Sequence, residues 1–412
     1  MKALIIGAGI GGLVTAMELA RIGVEPVVFE SVREVKPLGV GINVQPHSVR
    51  RLDELGLMEL LLDLGIATSE QAFFNHLGQH ICTEPRGLAA GAKWPQISIH
   101  RGQMQLALLE MARERIGPGN IRLGHHLLTF ESAAGEGVIA HFVDRASGAA
   151  LGAERGDLLI GADGIHSRVR ETFYPDEGPA VWNGAIIFRA STETPQFLGG
   201  RAQFMVGGRQ TVIGYPMSKP YFDRGRSLTN WAARFFVDAS QGFPREDWNR
   251  RGSLEDFLPR YANWRFDWMD FPALFRGAEA VFEFPMVDRD PLPRWTHGRA
   301  TLLGDAAHPM YPLGSNGASQ AILDAHELAI RLAASPDIDA ALRAYDEERR
   351  PKTAEIVRQN RAGGPERIVT MVEQRAPNGF ASIEEVMPRE EIRAIMDSYK
   401  AITSFDLART SS

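Results

Sequence analysis

The amino-acid sequence predicts an α/β protein built around a dinucleotide-binding lobe. The first observation is the N-terminal order of strand, GxGxxG turn and helix in KALIIGAGIGGLVTAMELARIG. The second is that two later apolar strands, within 157–170 and 298–334, also run into a glycine-containing loop and then a helix. The third is size, because 412 residues with 44% hydrophobic and 23% charged content can bury large cores, most naturally as two lobes.

The first of these elements carries Gly7, Gly9 and Gly12 between a short apolar strand and a periodic helix. Glycines at this spacing let the backbone approach a pyrophosphate, which the helix N-terminus binds through free N–H groups. The next strand, EPVVFE, ends in Glu30, whose carboxylate suits ribose hydroxyls and opposes a 2′-phosphate. A signal peptide also has a lysine before an apolar stretch, but it would not combine a strand, a GxGxxG turn, a helix and a second strand that ends in an acid in this order. FAD and NAD both satisfy such a site.

Charge and cysteine content exclude several classes of function. The net charge of −6 and a pI near 6.0 give no electrostatic reason to expect nucleic acid. Cys82 is the single cysteine, which excludes an intrachain disulfide and a cysteine-based metal cluster, and we expect no metal. A reducing, cytoplasmic location fits best. No segment is apolar for long enough to span a membrane, so we expect no membrane partner.

The second and third elements decide between the two dinucleotides. DLLIGADGIHSRVR places Asp163 and Gly164 after an apolar strand, although an ordinary turn before a capped helix would look similar. RATLLGD places Asp305 at a strand end, and PLGSNGASQA then leads through Gly314 and Gly317 into a long helix. A capped helix without a ligand would explain one glycine and one cap. It would not explain the whole run.

Taken in this order, with SIHRGQMQLAL at 98–108 between the first two, these stretches resemble the class A flavoprotein monooxygenases. These are single-component FAD-dependent aromatic hydroxylases related to p-hydroxybenzoate and salicylate hydroxylases. The resemblance runs through roughly residues 1–360. Within the family, PLGVGINVQP, SIHRG, FPMVDRDPLPRW and GRATLLGDAAHPMYPLGSNGASQAILD resemble the monooxygenases of 5-methylphenazine-1-carboxylate.

The resemblance implies a Rossmann-like FAD lobe of the p-hydroxybenzoate hydroxylase type, a smaller β-sheet substrate lobe and C-terminal helices. It implies FAD as cofactor, NADH or NADPH and O2 as co-substrates, and a small aromatic or N-heteroaromatic acid as substrate. Hydroxylation would proceed through a flavin C4a-hydroperoxide, with decarboxylation left open. The chain would be a monomer or a homodimer. Since no second strand–GxGxxG–helix unit exists in the sequence, a transient nicotinamide site fits better than a dedicated domain.

Cofactor-binding residues follow from the resemblance position by position. The family pattern assigns Glu30 to the adenosine ribose, Arg101 to the diphosphate and ribityl region, and Asp305 to the ribityl chain. The loop before the long helix would turn beneath the isoalloxazine ring and bring backbone N–H groups towards it. The full implied set is Gly7, Gly9, Gly12, Glu30, Val40, Arg101, Gln105, Asp163, Gly164, Asp305, Pro312, Gly314, Asn316 and Gly317.

Substrate contacts are expected from the second lobe and from the loop before the long helix, at Arg189, Phe204, Tyr215, Met286 and Pro312. Arg189 would anchor a carboxylate or form an ion pair between lobes. Tyr215 suits a ring-binding wall and a sheet core equally.

No catalytic residue is assigned by the pattern, because the flavin carries the bond chemistry. Tyr215 and His308 are the candidates, and the family histidine at His308 is largely structural. Some salicylate-type relatives carry a histidine where this chain has Thr211. That difference favours an already electron-rich, fused-ring or N-heterocyclic substrate.

The motif positions predict a discontinuous arrangement of lobes. Residues 1–72, 97–176 and 284–365 form the FAD-binding lobe, residues 73–96 and 177–283 form the substrate-binding sheet lobe, and residues 366–412 form a C-terminal helical segment. Two other functions remain open at this point. One is an FAD-dependent epoxidase or reductase of an isoprenoid, and the other is a flavoprotein that binds aromatic ligands without turnover. Product analysis separates the enzymes, and turnover separates both from the binder.

Overall fold

Five parallel strands form the centre of the first lobe. The structure is a computed structural model that describes residues 1–37, 40–133, 136–238 and 250–403. The central strands are almost entirely apolar and buried, as expected for a parallel sheet covered on both faces. In spatial order they are β20 (Ala300–Leu302), β12 (Leu158–Gly161), β1 (Lys2–Ile6), β2 (Glu25–Glu30) and β8 (Ile121–Leu123).

Helices cover this sheet and connect it to the rest of the chain. The first helix packs against the fourth and the ninth, and all three contribute buried apolar residues to the same core as the parallel strands. The helices are α1 (Ile10–Arg21), α2 (Pro46–Glu54), α3 (Met58–Leu64), α4 (Arg101–Ile116), α5 (Arg168–Phe173), α6 (Lys219–Phe222), α7 (Leu254–Phe257), α8 (Phe271–Arg276), α9 (Gly317–Ala334), α10 (Ile338–Arg361), α11 (Arg367–Arg375), α12 (Ile383–Val386) and α13 (Arg389–Thr403).

A seven-stranded sheet forms the second lobe. Its neighbours are antiparallel except for one parallel pair, Ala202–Val206 beside Glu70–Phe74. In spatial order the strands are β19 (Phe282–Asp288), β13 (Val181–Pro195), β16 (Arg226–Phe236), β15 (Thr211–Pro216), β14 (Ala202–Val206), β5 (Glu70–Phe74) and β6 (His80–Pro85).

The two faces of this sheet have different chemistry, because successive side chains of a strand point to opposite sides. One side, the aromatic face, carries Phe188, Phe204 and Trp231 and is covered by the helical turns of residues 254–275. The other side, the cavity face, carries Arg189 and Tyr215 with other polar residues.

Smaller sheets complete the fold. The strands β9 (His126–Ala133), β10 (Gly137–Val143) and β11 (Ala150–Gly156) form an antiparallel sheet. A second antiparallel sheet joins β3 (Gly41–Val44), β7 (Gln96–His100) and β4 (Ile66–Thr68). The short pair β17 (Arg265–Phe266) and β18 (Met269–Asp270) lies next to α8.

The predicted lobe boundaries at residues 73 and 284 each fall inside a strand of the seven-stranded sheet, β5 and β19. Alternating patterns of apolar and polar residues predict strands well, but they do not show where the chain passes from one lobe to the other.

The C-terminal helices pack on the cavity face beside the cavity, where Val372 and Met396 meet Phe73 and Met205. Parts of the predicted segments, 38–39, 134–135, 239–249 and 404–412, lie outside the described residues. In the described ranges, no helix has the length and apolarity to cross a membrane.

Candidate flavin and substrate site

Three predicted loops meet at one edge of the parallel sheet. Ile6, Gly161 and Leu302 lie side by side in the register of β1, β12 and β20. The carboxyl ends of parallel strands point the same way, so the loops that follow these residues converge. The structure therefore brings the GxGxxG turn, the Asp163 loop and the Asp305 loop together.

The glycine turn is shaped by close backbone approaches. Gly7 has φ +106°, and a Cβ there would lie 2.4 Å from the Ala162 carbonyl oxygen. A Cβ on Gly12 would lie 2.0 Å from the Gly7 carbonyl oxygen. Gly9 is the N-cap of α1, no side chain caps the helix there, and a Cβ on Gly9 would meet nothing within 4 Å. An open space in front of an uncapped helix N-terminus fits a pyrophosphate.

Glu30 and Gln105 both fix the residue between the first two motif glycines. Glu30 Oε2 accepts a hydrogen bond from the Ala8 N–H at 2.9 Å, and Gln105 Nε2 donates to the Ala8 carbonyl at 2.9 Å. Glu30 Oε1 also accepts from the Val32 N–H at 3.0 Å. The predicted ribose acid thus lies beside the turn at the end of β2, already oriented by backbone donors.

Val40 and Arg101 meet where α4 begins. The Arg101 N–H donates to the Val40 carbonyl at 3.0 Å, and the Arg101 side chain is exposed. His100, the N-cap of α4, accepts from the Gln103 N–H. An exposed guanidinium therefore stands at the start of the helix whose Gln105 holds the glycine turn.

The Asp163 loop contains a polar atom without a protein partner. Asp163 Oδ2 accepts from the Arg168 N–H at 2.8 Å, whereas Oδ1 is buried and has no hydrogen-bond partner among the described residues. Burial raises the pKa of the Asp163 carboxyl, against the hydrogen bonds that favour its charged form. Gly164 follows with φ +78°, a conformation that favours glycine.

The Asp305 side chain is exposed on a turn whose backbone is firmly held. Asp324 is fully buried on α9 and accepts from the Gly304 N–H at 3.0 Å and from Arg349 Nε at 2.7 Å. Arg170, also buried, donates to the Ala306 carbonyl at 3.1 Å from the other side. These contacts fix the turn that presents Asp305.

His308 belongs to the same framework. It is 3% exposed, and its Nε2 lies 2.6 Å from Asp324 Oδ2. Burial alone would raise the pKa of Asp324, but the charges of His308 and Arg349 lower it to about 2. These contacts give His308 a structural position behind the loop. Since His308 does not line the cavity described below, the framework interpretation is favoured over the catalytic one.

The loop at 312–316, the flavin-side loop, is held by the C-terminal helix. Gly314 has φ +64°, and a Cβ there would lie 2.1 Å from the Tyr399 hydroxyl. That hydroxyl accepts from Asn316 Nδ2 at 2.8 Å and donates to Asn360 Oδ1 at 2.9 Å. Gly317 begins α9 beside Asp305. A Cβ added to Gly317 would lie 3.8 Å from Asp305 Oδ1. The predicted run of Pro312, Gly314, Asn316 and Gly317 therefore forms one rigid loop.

A cavity of about 510 Å³ lies between this loop and the cavity face of the seven-stranded sheet. Arg189, Tyr215 and Pro312 line it, as predicted. Arg189 Nη2 donates to the Gly41 carbonyl at 3.1 Å, and its guanidinium pairs with the Tyr215 hydroxyl. Burial raises the pKa of Tyr215 to about 12 against the opposing charge of Arg189. At neutral pH, Tyr215 is therefore a neutral donor and not a base.

Two predicted substrate residues lie elsewhere. Phe204 is fully buried on the aromatic face, with its ring 5.3 Å from that of Phe197 and nearly perpendicular to it. Met286 is buried behind the flavin-side loop in a cluster with Tyr311 and Leu313. Neither residue lines the cavity: Phe204 on β14 lies on the opposite face of the sheet, and Met286 on β19 packs beneath the loop with Ile187. Their contact with a substrate stays a prediction.

Comparison with known proteins identifies the family. The family model described as an FAD binding domain matches residues 1–360. Phenazine 1,6-dicarboxylic acid hydroxylase of Lysobacter antibioticus is 46% identical over 361 residues, covering 87% of this chain and 88% of that protein. The chain belongs to the class A FAD-dependent aromatic monooxygenases.

Solved structures of other proteins share the fold. A variant of Klebsiella pneumoniae HpxO, complexed with FAD, superposes with a TM-score of 0.78 at 24% identity, covering 98% of both chains. A salicylate hydroxylase substrate complex superposes with a TM-score of 0.73 at 23% identity, covering 98% of this chain and 97% of the other. The α/β fold with an FAD lobe, a second sheet and C-terminal helices is thus confirmed.

FAD is the cofactor of this monooxygenase, and the residues present fit it. The open space at Gly9 suits the diphosphate, and the partnerless Asp163 oxygen and exposed Asp305 offer acceptors for hydroxyl groups. Asn316 Oδ1 is likewise buried with no partner among the described residues. The assignment of each residue to a part of FAD stays a prediction.

Sequence reasoning missed the residues that hold the site from a distance. Arg170, Asp324, Arg349 and Tyr399 hold the backbone of these loops. The sequence pattern assigns no role to any of them, although Arg170 and Asp324 lie within the quoted stretches 157–170 and 298–324. Asp324 is a charged residue on the apolar side of a predicted helix, and this position is the one sign in the sequence that it has a structural role. Its partners are distant in sequence, so the sequence alone does not predict these contacts.

Proposed function

We propose that this monooxygenase hydroxylates a fused-ring or N-heteroaromatic carboxylic acid, using NADH or NADPH and O2. The observation that carries the proposal is Arg189, a partly buried arginine in the cavity whose buried Nε has no hydrogen-bond partner and which forms no ion pair among the described residues. A buried positive charge without a counter-ion is costly, and a bound carboxylate would relieve that cost. Burial correspondingly lowers the pKa of Arg189.

The size and lining of the cavity support a flat ring. A volume of about 510 Å³ falls within the common range of about 300–1,000 Å³ for small-molecule sites. Ile187, Ile213 and Pro312 provide apolar walls, and Gln203 and Asn230 provide polar groups on the same face. The 46% identical relative is a phenazine 1,6-dicarboxylic acid hydroxylase, which supports a fused N-heterocycle as the ring.

The protein's own part in the reaction is binding, orientation and exclusion of water. Bound FAD supplies the electron transfer and the oxygen activation. Arg189 would bind the carboxylate, and Tyr215 would donate a hydrogen bond to it or to a ring substituent. The apolar walls would exclude water from the reacting ring. Loss of the carboxylate is not required by this arrangement, and hydroxylation with retention is the simpler outcome.

The proposal is tested with ring pairs that differ only in the acid. We expect phenazine-1-carboxylate, but not phenazine, to stimulate NADH or NADPH oxidation and to yield a hydroxylated product. Arg189→Met should weaken carboxylate binding about 10- to 100-fold, the loss expected for a charged hydrogen bond, and Arg189→Lys should lose less. Equal stimulation by both rings, or an unaffected Arg189→Met variant, would overturn the anchor. Turnover of an isoprenoid instead would favour the other enzyme class.

A further inference from the structure

A second arginine lines the same cavity at the other end of the seven-stranded sheet. Arg86 follows β6, lines the cavity, and donates from Nη2 to the amide oxygen of Gln71 at 2.5 Å. Its Nε is buried without a hydrogen-bond partner among the described residues. A neutral amide thus holds the guanidinium in place, and the Nε–H remains without an acceptor among the described residues.

Charge pairing sets Arg86 and Arg189 apart from similar arginines. In the described part of the chain, Arg51, Arg234 and Arg289 also have a buried, unpartnered Nε, but each forms an ion pair with a glutamate. Neither Arg86 nor Arg189 has such an ion pair there. The two arginines with a buried, unpartnered Nε and no carboxylate partner in the described part of the chain therefore line one cavity.

The acid closest to Arg86 in sequence is already engaged. Glu84 pairs with Lys400 of α13 at 2.6 Å. By contrast, Arg234, on the floor of the same cavity, is neutralised by Glu366 at 3.2 Å and hydrogen-bonded to Thr211 at 3.1 Å. One arginine of the cavity therefore has a glutamate partner within the protein, and the other two are free to bind an anionic ligand.

The two arginines stand far apart across the sheet. Gln71, which holds Arg86, lies on β5, and Arg189 lies on β13, with β14, β15 and β16 between them. Four spacings between strands amount to about 19 Å between the two strand positions. From its end of that span, the Arg189 side chain reaches towards the middle of the sheet, to the carbonyl of Gly41, which lies against Tyr215 of β15. A ligand that meets both guanidinium groups must carry anionic groups at opposite edges.

We propose that Arg86 is a second acid-binding subsite, so that the cavity is built for a planar ring diacid held at Arg189 by one acidic group and at Arg86 by the other. This inference rests on the proposed function. An arginine binds a carboxylate through two parallel hydrogen bonds, and the free Nε supplies one of the donors. The monoacid would leave Arg86 unpaired and bind more weakly.

Binding of phenazine-1,6-dicarboxylate and phenazine-1-carboxylate to the FAD-loaded enzyme tests the subsite, through the change in the flavin absorption spectrum. We expect the native enzyme to bind the diacid about 10- to 100-fold more tightly than the monoacid, as for one added charged hydrogen bond. Arg86→Met should remove that preference and leave monoacid affinity within about twofold. Arg86→Lys, which keeps the charge, should retain part of it.

The matched control is Arg209→Met, which removes one positive charge from an exposed arginine outside the cavity. It should leave the diacid preference intact. An Arg86→Met enzyme that loses affinity for both acids equally, or whose only change is a higher KM for NADH or NADPH, would overturn the subsite. So would a native enzyme with no diacid preference. If neither acid binds or is hydroxylated, the proposed function itself fails.

Discussion

Single residues in the flavin-side loop show how little freedom the chain has there. Gly314 occupies a left-handed conformation directly beneath the Tyr399 hydroxyl, and Gly7 and Gly12 are pressed against backbone oxygens. The sequence predicts these glycines from their spacing. It does not predict Tyr399, because that contact joins residues far apart in the chain.

Gly314→Ala should therefore weaken FAD binding by roughly tenfold or more. The new Cβ would lie 2.1 Å from Tyr399 Oη, in a conformation that costs an ordinary L-residue about 1–2 kcal/mol by itself. The dissociation constant of FAD, followed by recovery of flavin fluorescence, measures the effect. Gly148→Ala is the control, because Gly148 has φ +71° but a Cβ there meets nothing within 4 Å. Equal FAD affinity in the two variants would contradict the account.

At the level of elements, the Asp305 loop is a junction between β20 and α9 held by other elements. Asp324 on α9 joins the loop backbone to Arg349 on α10, while Arg170 on α5 holds the loop from the opposite side. The sequence shows strand, loop and helix in order. The sequence does not predict these side-chain contacts, because they join residues separated by as many as 136 positions.

Asp324→Asn should lower the free energy of unfolding by about 3 kcal/mol at pH 7, the scale of a broken buried ion pair. The folded-state pKa of Asp324 is lowered to about 2, below the unfolded value near 3.9. The stabilisation is thus fully present above about pH 4 and is lost as the pH falls through about 2. Urea unfolding of both proteins from pH 7 to pH 3 measures the difference.

Asp223→Asn provides the comparison, because Asp223 pairs with Lys219 on the exposed surface. Its effect should stay below about 1 kcal/mol. We expect the difference in unfolding free energy between the native protein and Asp324→Asn to shrink as the pH falls below 4. A difference that grew instead would contradict the predicted role of Asp324.

At the level of the whole molecule, the fold class follows from motif order, but the internal electrostatics do not. A net charge of −6 gives no hint of a cavity lined by three arginines, two lysines and one glutamate. The substrate face of the sheet was equally hidden, because alternation defines two faces without saying which one the FAD lobe covers. The chemistry of Arg189 and Tyr215 predicts residues that do line the cavity, whereas Phe204 lies on the opposite face of the sheet.

We propose that the chain inserts one atom of O2 into an aromatic acid held in this cavity. Turnover of phenazine-1-carboxylate with NADH or NADPH under 18O2, with the product analysed by mass spectrometry, tests this reaction. We expect a hydroxylated ring that carries one heavy oxygen atom, formed in step with the reduced nicotinamide consumed. A product labelled from water, or oxidation that yields only hydrogen peroxide with every ring acid tested, would contradict it.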